Sequence, residues 1–182
     1  MGGTLTQNSA DYAEFFEWED GNPEGQDRRG CFVRLDGEKI VLAQAGEDYI
    51  GLISGVPSIL GNAAPEEWHN RYLKDVFGAV IYEEEIIPEY INEETGEVTP
   101  EVRSKHFAPN PDFDPNMEYI PRELRPEWGI VGLLGQIVAV DDGTCVVGGY
   151  AGPGKDGVAT AAETGYRVMK RIDDSHIKVL VK

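Results

Sequence analysis

The sequence predicts a mainly β fold with one or two short helices, arranged as a compact single domain. The chain has 182 residues and an apolar fraction of 41%, which is enough to bury one core. Its 22 glycines and 11 prolines exceed what a helical bundle tolerates, because glycine destabilises helices and proline breaks them. Short apolar and β-branched runs are separated by turn residues, which is typical of strands.

Residues 11–20 begin the predicted fold with a strand. Aromatic and acidic side chains alternate in part along this segment. The spacing of Tyr12, Phe15 and Trp18 also fits a helix, but the aromatic content favours a strand. Gly21-Asn22-Pro23 then ends it.

Five apolar runs bounded by turn residues are the next predicted strands. They are residues 31–35, 39–43, 49–54, 80–82 and 85–87. Asp36-Gly37 joins the first two as a hairpin turn. A short helix is predicted over residues 65–77, because Pro65 suits a first helical turn and the acids that follow suit its positive end.

Residues 88–128 differ in composition from the rest of the chain. They contain seven of the eleven prolines and many acidic residues. This composition predicts a long irregular excursion that wraps over the core or contacts a partner. Strands resume after it, around a turn at 141–143 and a glycine-rich loop at 149–160. These last predicted strands are residues 129–140, 144–147, 166–171 and 176–181.

The charge of the chain excludes several classes of partner. The net charge is −17, whereas binding to a phosphate backbone needs clustered Lys and Arg, and anionic membranes repel acidic surfaces. No apolar run reaches the roughly 18 residues of a membrane helix, and the N-terminus lacks a signal-peptide pattern. We therefore expect no nucleic-acid partner and no membrane partner. Cys31 and Cys145 are expected to be free thiols.

The sequence gives little support for a metal site. None of the three histidines lies within metal-ligand spacing of another; they are His69, His106 and His176. The segment 112–118 alternates oxygen ligands as a calcium loop does, but it lacks the turn glycine and is interrupted by Pro115. We therefore expect no bound metal.

Two other motifs are weak. Residues 148–157 resemble a phosphate-binding loop, because glycines expose backbone N–H groups and Lys155 follows them. The Walker spacing is absent and no Ser or Thr follows the lysine, so the pattern favours a structural turn. A nucleophile pair of Ser54 with Lys39 or Lys74 also lacks a supporting motif.

Five acidic residues crowd into positions 11–20 beside four aromatic ones. The acids are Asp11, Glu14, Glu17, Glu19 and Asp20. Two carboxyl groups in different surroundings can act as acid and base in one reaction, which allows peptide hydrolysis without a metal or a covalent nucleophile. The alternative is an amphipathic strand with a solvated acidic face. The residue pattern by itself favours this alternative.

Several segments resemble one known family. The most specific are Ser9-Ala10-Asp11-Tyr12-Ala13-Glu14 and Pro57-Ser58-Ile59-Leu60-Gly61-Asn62, and others are residues 30–37, 48–55, 67–72 and 128–135. They are similar to the autoproteolytic intramolecular chaperone domain at the C-terminus of Bacillus-phage appendage and tailspike proteins, peptidase family G two of the glutamic type. The resemblance extends from about residue 8 to the C-terminus.

The resemblance implies a life cycle for this domain. It would follow a trimeric β-helical spike, form a homotrimer, set the register of the three chains and then be cleaved off. Residues 1–10 would be the end of the upstream spike or linker with the cleavage site, and residues 11–182 the chaperone domain. Assembly would take place in the cytoplasm of an infected or lysogenic bacterium, with the spike kept on the virion and this domain released.

The resemblance also implies the catalytic residues. The family's Asp and Glu pair falls by position on Asp11 and Glu14, with Glu17 as a substitute for Glu14. The scissile bond would be Ser9–Ala10 or Ala10–Asp11, and we favour the second. Each chain would cut once, as a single-turnover autoproteolytic peptidase.

The chemistry of that cut has two versions. Either one carboxylate activates water while the other protonates the leaving amine, or Asp11 itself attacks a neighbouring carbonyl. No cofactor is required in either version. Because ATP is linked to maturation in part of the family, Gly152, Gly154 and Lys155 are candidate nucleotide contacts.

Two further functions stay open. One is a non-enzymatic trimerisation or receptor-binding tip of a phage tail fibre, with residues 88–128 as its contact arm. The other is an enzyme with a carboxylate site that acts on small molecules.

Overall fold

The computed structural model describes residues 10–63 and 70–182. Over these residues the chain is mainly β, as the sequence predicts, and its two helices are single 3₁₀ turns at Arg122–Leu124 and Lys155–Gly157. The strands are β1 (Asp11–Glu17), β2 (Phe32–Asp36), β3 (Lys39–Leu42), β4 (Gly51–Ile53), β5 (Ile59–Gly61), β6 (Tyr82–Ile87), β7 (Tyr90–Ile91), β8 (Val98–Thr99), β9 (Val102–Phe107), β10 (Trp128–Val140), β11 (Tyr150–Pro153), β12 (Ala159–Ala162), β13 (Tyr166–Arg171) and β14 (His176–Val181). The chain divides into two compact units, Met1–Ala63 with Ile120–Lys182, and Ala64–Tyr119.

One sheet of ten strands forms the first unit. Its order is β12-β11-β13-β14-β10-β4-β2-β3, and β1 pairs with both β10 and β5. β10 has 13 residues and pairs antiparallel with β1, β4 and β14. Its β-branched and apolar residues favour an extended strand of this length. β10 is therefore the strand on which the others of this sheet are arranged.

β1 carries the acidic cluster. It runs antiparallel to β10, with Asp11 opposite Gly135, and parallel to β5. Successive side chains of a strand point to opposite faces, and accordingly Asp11, Ala13 and Phe15 are buried while the residues between them are half-buried. The strand interpretation of this segment is confirmed.

Two buried clusters hold the first unit together. In the larger one, Phe32 stacks on Tyr166 with ring centroids 5.6 Å apart, and Tyr49 meets both rings edge-on at 5.0 and 5.1 Å. The smaller one consists of Trp18, Val33, Ile40, Ile53 and Val131. Because β4 and β10 contribute to these clusters, the residues that follow β4 and those along β10 are held in fixed positions.

The second unit contains two short antiparallel pairs. β6 and β9 run from Tyr82 opposite Phe107 to Ile87 opposite Val102, and β7 pairs with β8. Every residue of β6 is exposed, including large apolar side chains. The proline-rich segment 88–128 contains β7, β8, β9 and the first 3₁₀ turn.

The segment 144–147 is a loop rather than the predicted strand. The Thr144 backbone N–H donates to the Asp142 carboxylate over 3.0 Å, and the Cys145 N–H donates to Asp141 over 3.3 Å. Because side-chain oxygens satisfy these donors, the backbone does not join a strand ladder, and Val146 and Val147 remain exposed.

Two other segments also differ from the sequence interpretation. Residues 70–77 of the predicted helix form turns and isolated bridges, and residues 65–69 lie outside the described part of the chain. The predicted loop at 149–160 is largely the antiparallel pair of β11 and β12, in which Gly152 lies opposite Thr160. No helix in the described residues has the length and apolar character that crossing a membrane requires.

Candidate functional site

The peptide bond between Ala10 and Asp11 is held closely against β10. The Ala10 carbonyl accepts a hydrogen bond from the Gln136 N–H over 3.2 Å, and the Asp11 carbonyl accepts one from the Ser58 N–H over 2.9 Å. Gly135 has a φ of +112°, and a Cβ there would lie 2.8 Å from the Asp11 Cα and closer still to the Ala10 oxygen. Only glycine therefore fits beside this bond.

The Asp11 side chain is buried next to the bond that precedes it. Asp11 and Ser54 are each 6% exposed, and the Ser54 hydroxyl donates to the Asp11 Oδ2 over 2.6 Å. Ser54 directly follows β4, and its backbone N–H donates to the Ile130 carbonyl over 2.8 Å. The hydroxyl that meets Asp11 is thus anchored to two strands of the sheet.

Glu14 has a different hydroxyl partner. The Tyr12 hydroxyl donates to the Glu14 Oε1, and both side chains lie on the same face of β1 because they are two residues apart. This hydrogen bond to the carboxylate, followed by desolvation and the negative charge of Glu14, raises the pKa of Tyr12. A Cβ at Gly61 would lie 2.9 Å from the Tyr12 oxygen and 3.0 Å from the Glu14 Cγ. The backbone of β5 therefore packs directly against both side chains at Gly61.

One chain does not bring Asp11 and Glu14 together. They are three residues apart on β1, which separates their Cα atoms by about 10 Å and directs their side chains to opposite faces. No hydrogen bond joins their carboxylates, since Asp11 binds Ser54 and Glu14 binds Tyr12. The Glu17 carboxylate accepts a hydrogen bond from the Lys39 Nζ over 2.6 Å, which raises the pKa of Lys39.

A cleft of about 530 Å³ opens beside Ala10 and Asp11. Its lining carries four further charged or titratable side chains, Asp27, Arg29, His176 and Lys178. The Arg29 guanidinium binds the Asp27 carboxylate over 2.5 Å and, with the Arg29 backbone N–H, lowers the pKa of Asp27 to about 2. The candidate bond therefore lies at the wall of a polar cleft.

The residues of the candidate nucleotide loop bind other parts of the chain. Gly152 is buried in β11, and the Gly154 N–H donates to the Val158 carbonyl over 2.7 Å. The Lys155 side chain is 90% exposed and lies 4.0 Å from the Asp156 carboxylate. Nucleotide binding by this loop stays a prediction.

Three further expectations from the sequence concern Ser9, a bound metal and the two cysteines. Ser9, the other residue of the proposed cleavage segment, lies outside the described residues. Within residues 10–63 and 70–182, no three His, Cys, Asp or Glu side chains come close enough to hold a metal ion. Cys31 and Cys145 are free thiols.

Sequence reasoning missed three residues of this site. The partner of Ser54 is Asp11, 43 positions away, rather than a lysine, and no spacing rule connects the two. Gln136 acts through its backbone, so its side chain carries no signal. Gly135 had a usable signal, because a glycine within a strand marks a bulge or a close backbone approach.

Comparison with known proteins shows the family of this chain. The model of the peptidase G2 family, described as the IMC autoproteolytic cleavage domain, matches residues 1–176. The chain is 40% identical over 168 residues to the preneck appendage protein of Bacillus phage PZA, covering 88% of this chain and 18% of that protein. It is 34% identical over 171 residues to the phage-related protein YobO of Bacillus subtilis strain 168, covering 92% of this chain and 20% of that protein. The chain thus spans about a fifth of the length of these relatives.

Two crystal structures share the fold. The pre-mature bacteriophage phi29 gene product 12 matches with a TM-score of 0.77 and 35% identity, over 100% of this chain and 23% of that one. The C-terminal fragment of the same gene product matches with a TM-score of 0.72 and 37% identity, over 94% of this chain and 100% of the fragment.

Proposed function

This chain belongs to the peptidase G2 family of IMC autoproteolytic cleavage domains, and we propose that it cleaves its own backbone at the Ala10–Asp11 bond. The observation that carries the proposal is the environment of this bond. The Ala10 carbonyl accepts a backbone N–H from Gln136, and a buried carboxylate belongs to the residue that follows the bond. The cleft beside it provides access for water.

The reaction is the hydrolysis of one peptide bond. Water adds to the Ala10 carbonyl carbon, the C–N bond breaks, and the products are an Ala10 carboxylate and an Asp11 amine. One side chain, as a carboxylate, removes a proton from water, and the other, as a carboxylic acid, delivers a proton to the leaving nitrogen. The Gln136 N–H, 3.2 Å from the Ala10 oxygen, stabilises the negative charge that develops there.

We propose that Asp11 and Glu14 are the two carboxylates and that they come from different copies of the chain. Within one chain they lie on opposite faces of β1, so a single copy supplies only one of them to its own bond. A homotrimer would supply the other from a neighbouring copy. Cleavage would then occur only after assembly, as expected for a chaperone domain that is removed once the trimer has formed.

The remaining steps of the proposed life cycle are supported by the similarity to a longer phage protein. The preneck appendage protein of phage PZA is about five times as long as this chain. We propose that the domain follows a β-helical spike, trimerises it and leaves it on the phage particle after the cut. We propose assembly in the bacterial cytoplasm. A nucleotide bound near Gly154 and Lys155 would be an additional ligand and takes no part in the hydrolysis.

A non-enzymatic trimerisation or receptor-binding tip is the second candidate function. The observation that favours it is the β6–β9 pair, which exposes Tyr82, Ile86, Ile87, Val102 and Phe107. An isolated two-stranded pair is marginal in water, so a partner surface would stabilise it. This function predicts a trimer whose chains keep residues 1–10.

The proposal is tested by two variants, separately and mixed. Asp11→Asn and Glu14→Gln chains are purified in denaturant and refolded, and their masses are measured by mass spectrometry. The exposed Glu19 provides the control, and Glu19→Gln should keep cutting. Each of the two variants should stay intact when refolded separately. Refolded together, the Glu14→Gln chains should be cut, because a neighbouring Asp11→Asn chain supplies Glu14.

The outcomes separate the parts of the proposal. If Asp11→Asn or Glu14→Gln chains cut at the wild-type rate, that carboxylate has no role. If the mixture stays intact although mass measurements show mixed trimers, the two carboxylates do not act between copies. If wild-type trimers keep residues 1–10, the second candidate function replaces the first.

A further inference from the structure

The buried Ser54 hydroxyl is the hydrogen-bond partner of the candidate catalytic carboxylate of Asp11. It is one of few buried polar side chains of the described residues, and its hydrogen bond joins the loop after β4 to the first residue of β1. At 2.6 Å the hydrogen bond from the Ser54 hydroxyl to the Asp11 Oδ2 is at the short end of the range for a hydroxyl donor. The same loop also holds the Asp11 carbonyl through the Ser58 N–H.

We propose that Ser54 is a positioning residue for self-cleavage, which holds the Asp11 carboxylate at the scissile bond. The inference rests on the proposed function. Ser54 anchors the Oδ2 atom, while the Oδ1 atom accepts no hydrogen bond from any described residue. One oxygen is thus fixed to the sheet, and the other remains available to water or to the leaving nitrogen in the cleft that Asp11 and Ser54 both line.

The position of Ser54 is itself fixed from two sides. It follows Ile53, a member of the smaller buried cluster, and its own N–H donates to the Ile130 carbonyl of β10. β10 also supplies Gln136, whose N–H meets the Ala10 carbonyl. The Asp11 carboxylate and the Ala10 carbonyl are therefore both positioned by contacts with β10. Catalysis by proximity requires reacting groups to be aligned in this way.

Ser58 provides a matched control four residues away. Its backbone N–H holds the Asp11 carbonyl, but its buried hydroxyl makes no hydrogen bond to any residue of the described chain. Ser58→Ala therefore removes a hydroxyl from the same loop without touching the Asp11 carboxylate. Both variants lose a hydroxyl from this loop, and only Ser54→Ala loses a hydrogen bond to the Asp11 carboxylate.

The experiment follows the cleavage of the 182-residue chain after refolding from denaturant, by mass spectrometry over time. Ser54→Ala should slow the cut by roughly 10- to 100-fold, the loss expected when a catalytic group is misplaced by a fraction of an ångström to one ångström. Ser54→Thr, which keeps the hydroxyl, should cut faster than Ser54→Ala, and Ser58→Ala should match the wild type. The thermal unfolding of each variant in an uncleavable Glu14→Gln background, which keeps Asp11, shows whether the fold is intact.

Each outcome decides the question. Slow cutting by Ser54→Ala with a cooperative thermal transition, and recovery in Ser54→Thr, supports the positioning role. Equal rates for Ser54→Ala, Ser58→Ala and the wild type overturn it while leaving the proposed function in place. Equally slow cutting by the Ala and Thr variants, or a slow Ser58→Ala, also overturns it, because the hydroxyl is then not the cause. A wild-type chain that never cuts overturns both the proposed function and this inference.

Discussion

At the scale of single residues, Asp11 and Glu14 each have one hydroxyl partner. Ser54 donates to Asp11 from the loop after β4, and Tyr12 donates to Glu14 from the same strand. A hydroxyl carries no charge, so each donor orients its carboxylate by hydrogen bonding alone. The pair of Ser54 with Asp11 and the pair of Tyr12 with Glu14 can therefore be tested separately.

The Tyr12 hydroxyl should contribute to the rate of cleavage. Tyr12→Phe removes only the donor to Glu14, and we expect a cut about tenfold slower, equivalent to about 1.4 kcal/mol of activation free energy. Mass spectrometry after refolding measures it, with Tyr150→Phe in β11 as the control. A Tyr12→Phe chain as fast as this control would show that Glu14 needs no such partner.

The two thiols should differ in reactivity. Cys145 is 2% exposed, and burial, followed by its hydrogen bond to Asp141, raises its pKa to about 12. Because the thiolate is the reactive form, Cys145 should resist alkylation at pH 8 in the folded chain and react on unfolding. Cys31 is half-buried, its pKa is raised chiefly by burial, and it should react sooner. Equal rates for the two thiols in the folded chain would contradict the burial of Cys145.

The sequence could predict these residues only in part. Asp11 and Glu14 stand in an acidic and aromatic run whose pattern favours a solvated strand, and only the family resemblance makes them a catalytic pair. Their hydroxyl partners are a property of the fold. The contact between Ser54 and Asp11 exists because β4 and β1 both pair with β10, which no local spacing reveals.

At the scale of elements, the pair of β1 and β10 determines the site. Both strands could be predicted, because aromatic and β-branched runs favour extended structure. The register of the two strands could not be predicted from the sequence, although this register places Gly135 against the Ala10–Asp11 bond. The loop at 144–147 was predicted wrongly because apolar content suggested a strand while Asp141 and Asp142 bind its backbone donors.

Gly135 should be indispensable to the cut. Gly135→Ala would place a methyl group 2.8 Å from the Asp11 Cα and force the bond away from the Gln136 N–H. We expect cleavage at least about 100-fold slower, since misplacement of reacting groups by an ångström has that effect. Mass spectrometry after refolding gives the rate.

Gly143→Ala is the control for backbone strain. Gly143 also has a positive φ, +91°, but a Cβ there would meet nothing within 4 Å. Both substitutions carry the conformational cost of a left-handed residue, about 1 kcal/mol. If the two variants cut equally fast, close packing against the scissile bond has no part in the reaction.

At the scale of the whole molecule, the charged side chains determine how the stability of the fold changes in acid. The chain carries a net charge of −17, yet several carboxylates are stabilised by specific partners. The Arg28 side chain lowers the pKa of Asp20, and Arg29 lowers that of Asp27 to about 2. The Ser175 N–H, followed by His176, lowers the pKa of Asp173.

Stability should therefore fall in acid. Each of these groups has a lower pKa in the folded chain than in the unfolded chain, so its contribution is present above the ordinary value of 3.8 and is lost as the pH falls through the folded value. We expect the Tm to decrease between about pH 4 and pH 2. Thermal unfolding followed by circular dichroism checks this. A Tm that rises over that interval would mean that relief of charge repulsion outweighs the loss of these interactions.

The mainly β class could be predicted from composition, but the assembled molecule could not. The β6–β9 pair is exposed and Asp11 is separated from Glu14 on β1. The trimer proposed above would bring these features into contact with neighbouring copies, and the local sequence carries no signal for such contacts. A trimer of this 20.0 kDa chain has a mass of about 60 kDa, which sedimentation identifies directly.

The most direct measurement is the mass of the wild-type 182-residue chain after refolding and trimer formation. Self-cleavage by the Asp11 and Glu14 carboxylates predicts a product that begins at Asp11 and ends at Lys182, with residues 1–10 released as a separate peptide. The assembled Asp11→Asn chain should keep its full mass. A wild-type trimer of uncut chains, or a product that begins at any residue other than Asp11, would contradict the account.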